Sequence, residues 1–126
     1  MFVNLSNHPS KTWSETQKKA AQQYGQIIDM LFPTISATGD ELYILDLVRD
    51  FKVQILSRFN PLNDVIHVMG ELCFTFALVQ ELKNNGFVCL ASTSERVVEE
   101  KEPGVKEVIF QFVRFRRYED LTKKIC

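Results

Sequence analysis

Short apolar runs alternate along the chain with segments whose apolar residues recur every three or four positions, and this alternation carries most of the fold. "MFVNL", residues 1–5, reads as a buried strand. "SETQKKAAQQYG" follows, with Ser14 and Gln17 at the spacing of a capping box, which predicts a helix from Ser14 to near Gly25. "QIIDMLF" is a second apolar run, closed by Pro33 and a polar loop through Gly39 and Asp40. From Glu41 to Phe59 the residues Leu45, Val48, Phe51 or Lys52, Ile55 and Phe59 form the stripe of an amphipathic helix, ended by Asn60 and Pro61. "VIHVMG" is the third strand. "ELCFTFALVQELKNNG" is the third helix, apolar nearly all round in its middle and so expected to be well buried, with an Asn-Asn-Gly end suited to a left-handed cap. "FVCLAST" is the fourth strand. Finally "ERVVEE" and "KEVIFQFVRFRRY" flank "KEPG" as a terminal hairpin, with Val108, Phe110, Phe112 and Phe115 near alternating spacing.

Strands alternating with helices at these spacings build right-handed βαβ units. The expectation is a single α/β domain over residues 1–126. It is a small Rossmann-like, three-layer domain, its sheet mostly parallel, with helices on both faces and a C-terminal β-hairpin.

The length of 126 residues fits one domain, and 45% hydrophobic with 25% charged residues is the balance of a soluble globular chain. No apolar stretch is long enough to span a bilayer, and the first residues lack the pattern of an export signal, so a cytoplasmic address is expected. The net charge of −1 gives no support to binding long nucleic acid, although a compact anion in a local pocket stays open. Cys73, Cys89 and Cys126 show neither CxxC pairing nor a histidine at metal-ligand spacing, which predicts no disulfide framework, no zinc site and no cofactor. Cys73 and Cys89 sit in apolar runs as expected core residues, and Cys126, the last residue, lacks the positions of a prenylation signal.

Ligands of open parallel sheets bind beyond the carboxyl ends of the strands, where loops meet helix N-termini. Three loops qualify: "SNHPSKTW" after the first strand, "GE" with Thr75 after the third, and "STSER" after the fourth. They bring together Ser6, Asn7, His8, Ser10, Trp13, Gly70, Glu71, Thr75, Ser92, Thr93, Ser94, Glu95 and Arg96. Hydroxyls, backbone donors, an imidazole, a guanidinium and a stacking surface suit a ligand with phosphates and bases. Neither GxGxxG nor GxxxxGK[ST] is present, so the standard dinucleotide and P-loop readings lack support.

Each residue also has a plainer role. His8 before Pro9 is a loop histidine as readily as a chemical group. His67 inside a strand reads as a hydrogen-bonded core or face residue, and Glu71 as an acid favoured at a helix N-terminus. Ser92, Thr93 and Ser94 suit turns and caps, and Trp13 suits packing on the helix start more than stacking on a base. Arg114, Arg116 and Arg117 are diluted by Glu119 and Asp120, and "EEKE" reads as a solvated hairpin tip.

The stretches "LSNHPS", Trp13-Ser14-Glu15-x-Gln17, "IHVMGE" with "FTFALV" two residues on, and "ASTSERVV" together resemble small CRISPR-associated proteins of type III systems. These are relatives of the CARF domain that bind cyclic oligoadenylate, several of them ring nucleases. The resemblance covers most of the chain in order. It implies a CARF-like fold and a symmetric homodimer whose strand-end pockets combine around one cyclic tetra-adenylate. Cleavage would be metal-independent, a ribose 2′-hydroxyl attacking the adjacent phosphate to leave a 2′,3′-cyclic end, and would serve antiviral defence by switching the signal off. On this carry-over His8, with Asn7 and Ser10 beside it, is the catalytic set. Ser6, Trp13, Gly70, Glu71, Thr75, Thr93, Ser94, Glu95 and Arg96 hold the ligand. The first and fourth loops lack a lysine clamp for phosphate, since Lys11 is expected to point outward, which leaves a non-catalytic binder of the same ligand open. A protein-interaction module with no nucleotide ligand is the third reading.

Overall fold

The structure, a computed structural model, describes residues 1–121, so the expectation for Cys126 falls outside the described residues. The chain runs β1 (Phe2–Ser6), α1 (Glu15–Gln22), β2 (Ile27–Leu31), α2 (Glu41–Arg58), β3 (Val65–Met69), α3 (Leu72–Asn84), β4 (Val88–Glu102) and β5 (Val105–Arg117). The strands form one five-stranded sheet in the order β2-β1-β3-β4-β5, parallel except for β5, which pairs antiparallel with β4. This is the small Rossmann-like α/β domain with a C-terminal hairpin that the periodicity predicts.

Alternation along the strands sends successive side chains to opposite layers. Val3, Leu5, Ile66, Val68 and Cys89 meet Val48, Ile55, Phe74, Leu78 and Leu82 from α2 and α3. On the other face Phe2, Leu90 and Phe115 pack with Trp13 and with Ala21 of α1. The helix ends follow local chemistry. Ser14 caps α1, its hydroxyl accepting from the Gln17 amide at 3.2 Å, and Asp40 caps α2 in the same way through the Tyr43 amide at 3.0 Å. Gly86, at φ +89°, takes the left-handed position after α3.

Four expectations are corrected. "STSER" is not a loop at a strand end: β4 runs unbroken from Val88 to Glu102, so Ser92 to Arg96 lie inside it and "ERVVEE" is its continuation. Those residues are held as strand by ladder pairing to β5, from Leu90↔Arg117 to Glu102↔Val105. The third helix is not buried all round: it packs on α2 and the sheet through one side, Leu72 is 82% and Phe76 67% exposed, and Cys73 is exposed rather than in the core. Leu45 likewise leaves the α2 stripe for solvent, while Val48, Ile55 and Phe59 stay buried. β3 pairs with β4 only through Val88–Leu90, so most of the β4–β5 ribbon extends beyond the sheet as an arm.

Candidate functional site

The strand order reverses direction between β1 and β3, and the loops leaving those neighbouring strands diverge to helices on opposite faces. In such sheets that divergence opens a crevice at the carboxyl ends. A cleft of about 1070 Å³ lies there. Ser6, Asn7, His8, Thr12 and Trp13 from the β1–α1 connection form one wall, with Ser14, Thr16 and Gln17 at the start of α1. His67 and Met69 from β3, Gly70 just after it, and Ser92, Thr93 and Ser94 from β4 line it as well. Ile109, Phe110, Gln111 and Phe112 of β5 complete it. The described lining carries hydroxyls, amides, two imidazoles and aromatic rings, and no carboxylate, lysine or arginine.

A row of polar side chains crosses the sheet beneath this cleft. Asn4 is the register partner of Asp29 on β2 and of His67 on β3, so all three point to the α1 face at one level. The Asn4 amide donates to the Asp29 carboxylate at 2.8 Å and to the His8 carbonyl at 3.0 Å. Its oxygen accepts from the Ser6 hydroxyl at 2.8 Å and meets His67 Nδ1 at 2.9 Å. The full hydrogen-bonding capacity of Asn4 is thus used, at a position 1% exposed. The His8 carbonyl also accepts from the Trp13 indole at 3.2 Å, which fixes the backbone of the loop while the His8 side chain stays exposed at the rim.

His67 is 2% exposed and enclosed by rings, stacked on Phe2 at 5.7 Å and edge-on to Trp13 at 5.6 Å and Phe115 at 5.4 Å. That burial, with a smaller contribution from the His8 charge, pulls its pKa down to about 4, so it is neutral at pH 7. Burial raises the Asp29 pKa, but the hydrogen bonds from Asn4 and from the Ser10 hydroxyl and amide outweigh it and hold the carboxyl below its ordinary value.

The residues singled out from sequence divide by position. Ser6, Asn7, His8, Trp13, Gly70, Thr93 and Ser94 come together at the cleft, with Ser92. Ser10 does not line it; its hydroxyl donates to Asp29 at 2.7 Å. Glu71 caps α3, accepting from the Phe74 amide at 2.7 Å, the helix-end role that its position suggests. Thr75 is on the buried face of α3, with its hydroxyl unpartnered. Glu95 and Arg96 stand farther out on the arm, Arg96 opposite the cleft-lining Phe110. Trp13, 8% exposed, packs rather than offering a free face. A Cβ at Gly70 would fall within the Phe32 ring, so this glycine serves the packing of that ring. Sequence reading missed Asn4 and Asp29, and the cleft role of His67, Phe110 and Phe112. Polar residues inside apolar strand runs were the available signal for the first three.

Among the described residues no group of three or more His, Cys, Asp or Glu is placed to hold a metal ion, and no helix is long and apolar enough to cross a membrane. Sheet order defines a Rossmann-like domain, with a cleft at the topological switch point. The chain belongs to the Uncharacterized protein MJ1673 family, whose model matches residues 1–116. No curated protein and no solved structure matches it.

Proposed function

We propose that this chain binds cyclic oligoadenylate, cyclic tetra-adenylate foremost, and opens the ring by in-line attack of a ribose 2′-hydroxyl, ending a type III CRISPR signal in the cytoplasm. One observation carries the reading. The stretches that resemble the CARF-related proteins, "LSNHPS", the start of α1, "VMG" and "STS", are far apart in the chain and converge on one cleft. The chemistry of the cleft suits the ligand: the α1 N-terminus and the hydroxyls beside it, Thr12, Ser14 and Thr16, for phosphate oxygens, Phe110 and Phe112 for bases. His8, at the rim with Asn7, is the group placed to exchange a proton with the reacting oxygens. Ser10 supports that loop through Asp29.

The homodimer of this reading is supported by Leu72 and Phe76, exposed side chains of α3 just past Gly70 at the cleft edge. A second copy seated on them would bring two clefts to one ring. A second reading, a protein that holds the messenger without opening it, is favoured by the absence of lysine and arginine from the described lining, since charge growing on the phosphate and leaving oxygens then meets only neutral donors and the imidazole.

The test is incubation with cyclic tri-, tetra- and hexa-adenylate in excess EDTA, with products resolved by chromatography and binding followed in parallel. Linear products with a 2′,3′-cyclic end are expected from one ring size. Tight binding without products would establish the holding role instead, and neither would return the protein to the interaction-module class. In the enzyme His8→Ala slows cleavage more than it weakens binding and Phe110→Ala, at the aromatic wall, does the reverse; equal losses in both would remove that division of roles.

A further inference from the structure

The hydrogen bonds under the cleft have one self-consistent direction. The Asp29 carboxylate and the His8 carbonyl only accept, so the Asn4 side-chain nitrogen faces them and its oxygen faces Ser6 and His67. An amide oxygen also only accepts, so the proton between it and His67 sits on Nδ1. In the neutral ring Nε2 then holds a lone pair. The Ser92 hydroxyl lies 3.3 Å from that Nε2 and 3.0 Å from the Met69 sulfur. Both are acceptors and the hydroxyl has one proton, so whichever takes it, the proton points inward.

We propose that Ser92 presents a fixed hydrogen-bond acceptor to the cleft, and that this position selects a ligand carrying a hydroxyl or amine donor. An unconstrained serine turns its hydroxyl to suit a donor or an acceptor. Here the direction is set three side chains away, by Asp29. A phosphate oxygen brought to Ser92 would meet lone pairs, so phosphates belong at the His8 and α1 side, and an N–H or O–H belongs here. The identity of that donor rests on the oligoadenylate reading, in which it is the adenine amine or the ribose 2′-hydroxyl; the acceptor assignment does not.

Two measurements test it. Imidazole nitrogen-15 NMR of the ligand-free chain at neutral pH should show His67 as a single neutral tautomer with the proton on Nδ1. A proton on Nε2, or averaged tautomers, overturns the proposal whether or not any ring binds. In binding, Ser92→Ala should weaken cyclic tetra-adenylate about tenfold and Ser92→Thr should restore it. Rings with 2′-O-methyl riboses and rings of purine lacking the amine distinguish the two donors. One of them should lose the same factor against the unaltered chain and nothing further against Ser92→Ala. An unchanged affinity in Ser92→Ala, or the same further loss with both rings in that variant, overturns it. Failure of all ring sizes to bind the unaltered chain overturns the oligoadenylate reading alone, and the tautomer then decides the acceptor assignment.

Discussion

Asn4 holds the loop and the imidazole together, and truncating it shows what a saturated buried amide contributes. Asn4→Ala removes the acceptor that faces the buried His67 N–H and the Ser6 hydroxyl, and should cost about 3 kcal/mol in chemical denaturation. A result near zero would mean that water replaces the amide at no penalty. His67 gives the matching pH prediction. Its folded pKa of about 4 lies below the ordinary value of 6.5, so between those two the unfolded chain binds the proton and the folded chain does not. Stability should therefore be complete above about pH 6.5 and fall by about 3 kcal/mol on acidification to pH 4. Urea midpoints across that range measure it, and His67→Phe should flatten the slope. These residues were legible in principle: Asn4, Asp29 and His67 each break an apolar run. Sequence alone does not show that they share one register level, and that level is what makes them a network.

Among the elements, those fixed by local chemistry were the ones that sequence revealed. The hydroxyl of Ser14 caps α1 as the motif foretells, and Ser14→Ala should lower stability by about 1 kcal/mol. β4 was misread because Ser92, Thr93 and Ser94 have turn chemistry of their own, while their strand geometry comes from pairing with residues some twenty positions later. α3 was misread in a different way. Its apolar circumference suggests burial, but its sequence does not say how many neighbours it will have. Thr75 separates packing from ligand binding at this scale: Thr75→Val removes a buried hydroxyl without a partner and should raise stability by about 1 kcal/mol. Unchanged affinity for any cleft ligand in that variant would confirm that α3 supports the site from behind.

At the scale of the whole molecule, the order of alternating strands and helices dictated a parallel sheet, and the sheet dictated where the cleft opens. What the chain did not disclose is that β5, from the far edge, returns over the cleft to supply its aromatic wall. Joining Arg96 to Phe110 through a two-residue turn should leave the cooperative unfolding of the domain within about 1 kcal/mol, because among the described residues the strands of the removed ribbon pair with each other alone. Leu72→Asp with Phe76→Asp should shift sedimentation from dimer to monomer if the copies meet on α3. A dimer that survives both changes would move the contact to another face.

The arm has one more consequence. Beyond Ser92, whose amide donates to the Met69 sulfur, no strand pairs with the β3-facing side of β4 among the described residues, so a row of backbone amides and carbonyls there is open to another strand. A long open border of this kind invites sheet growth from molecule to molecule unless something spoils the fit. Here the register shift at Thr93/Ser94 interrupts its regularity, and Glu95, Glu99, Glu100 and Glu102, interspersed with Arg96 and Lys101, line it with charge that is mostly negative. Solubility at high concentration would then depend on those glutamates: replacing Glu99 and Glu100 with valine should bring on fibre formation, read by thioflavin fluorescence, under conditions where the unaltered chain stays clear.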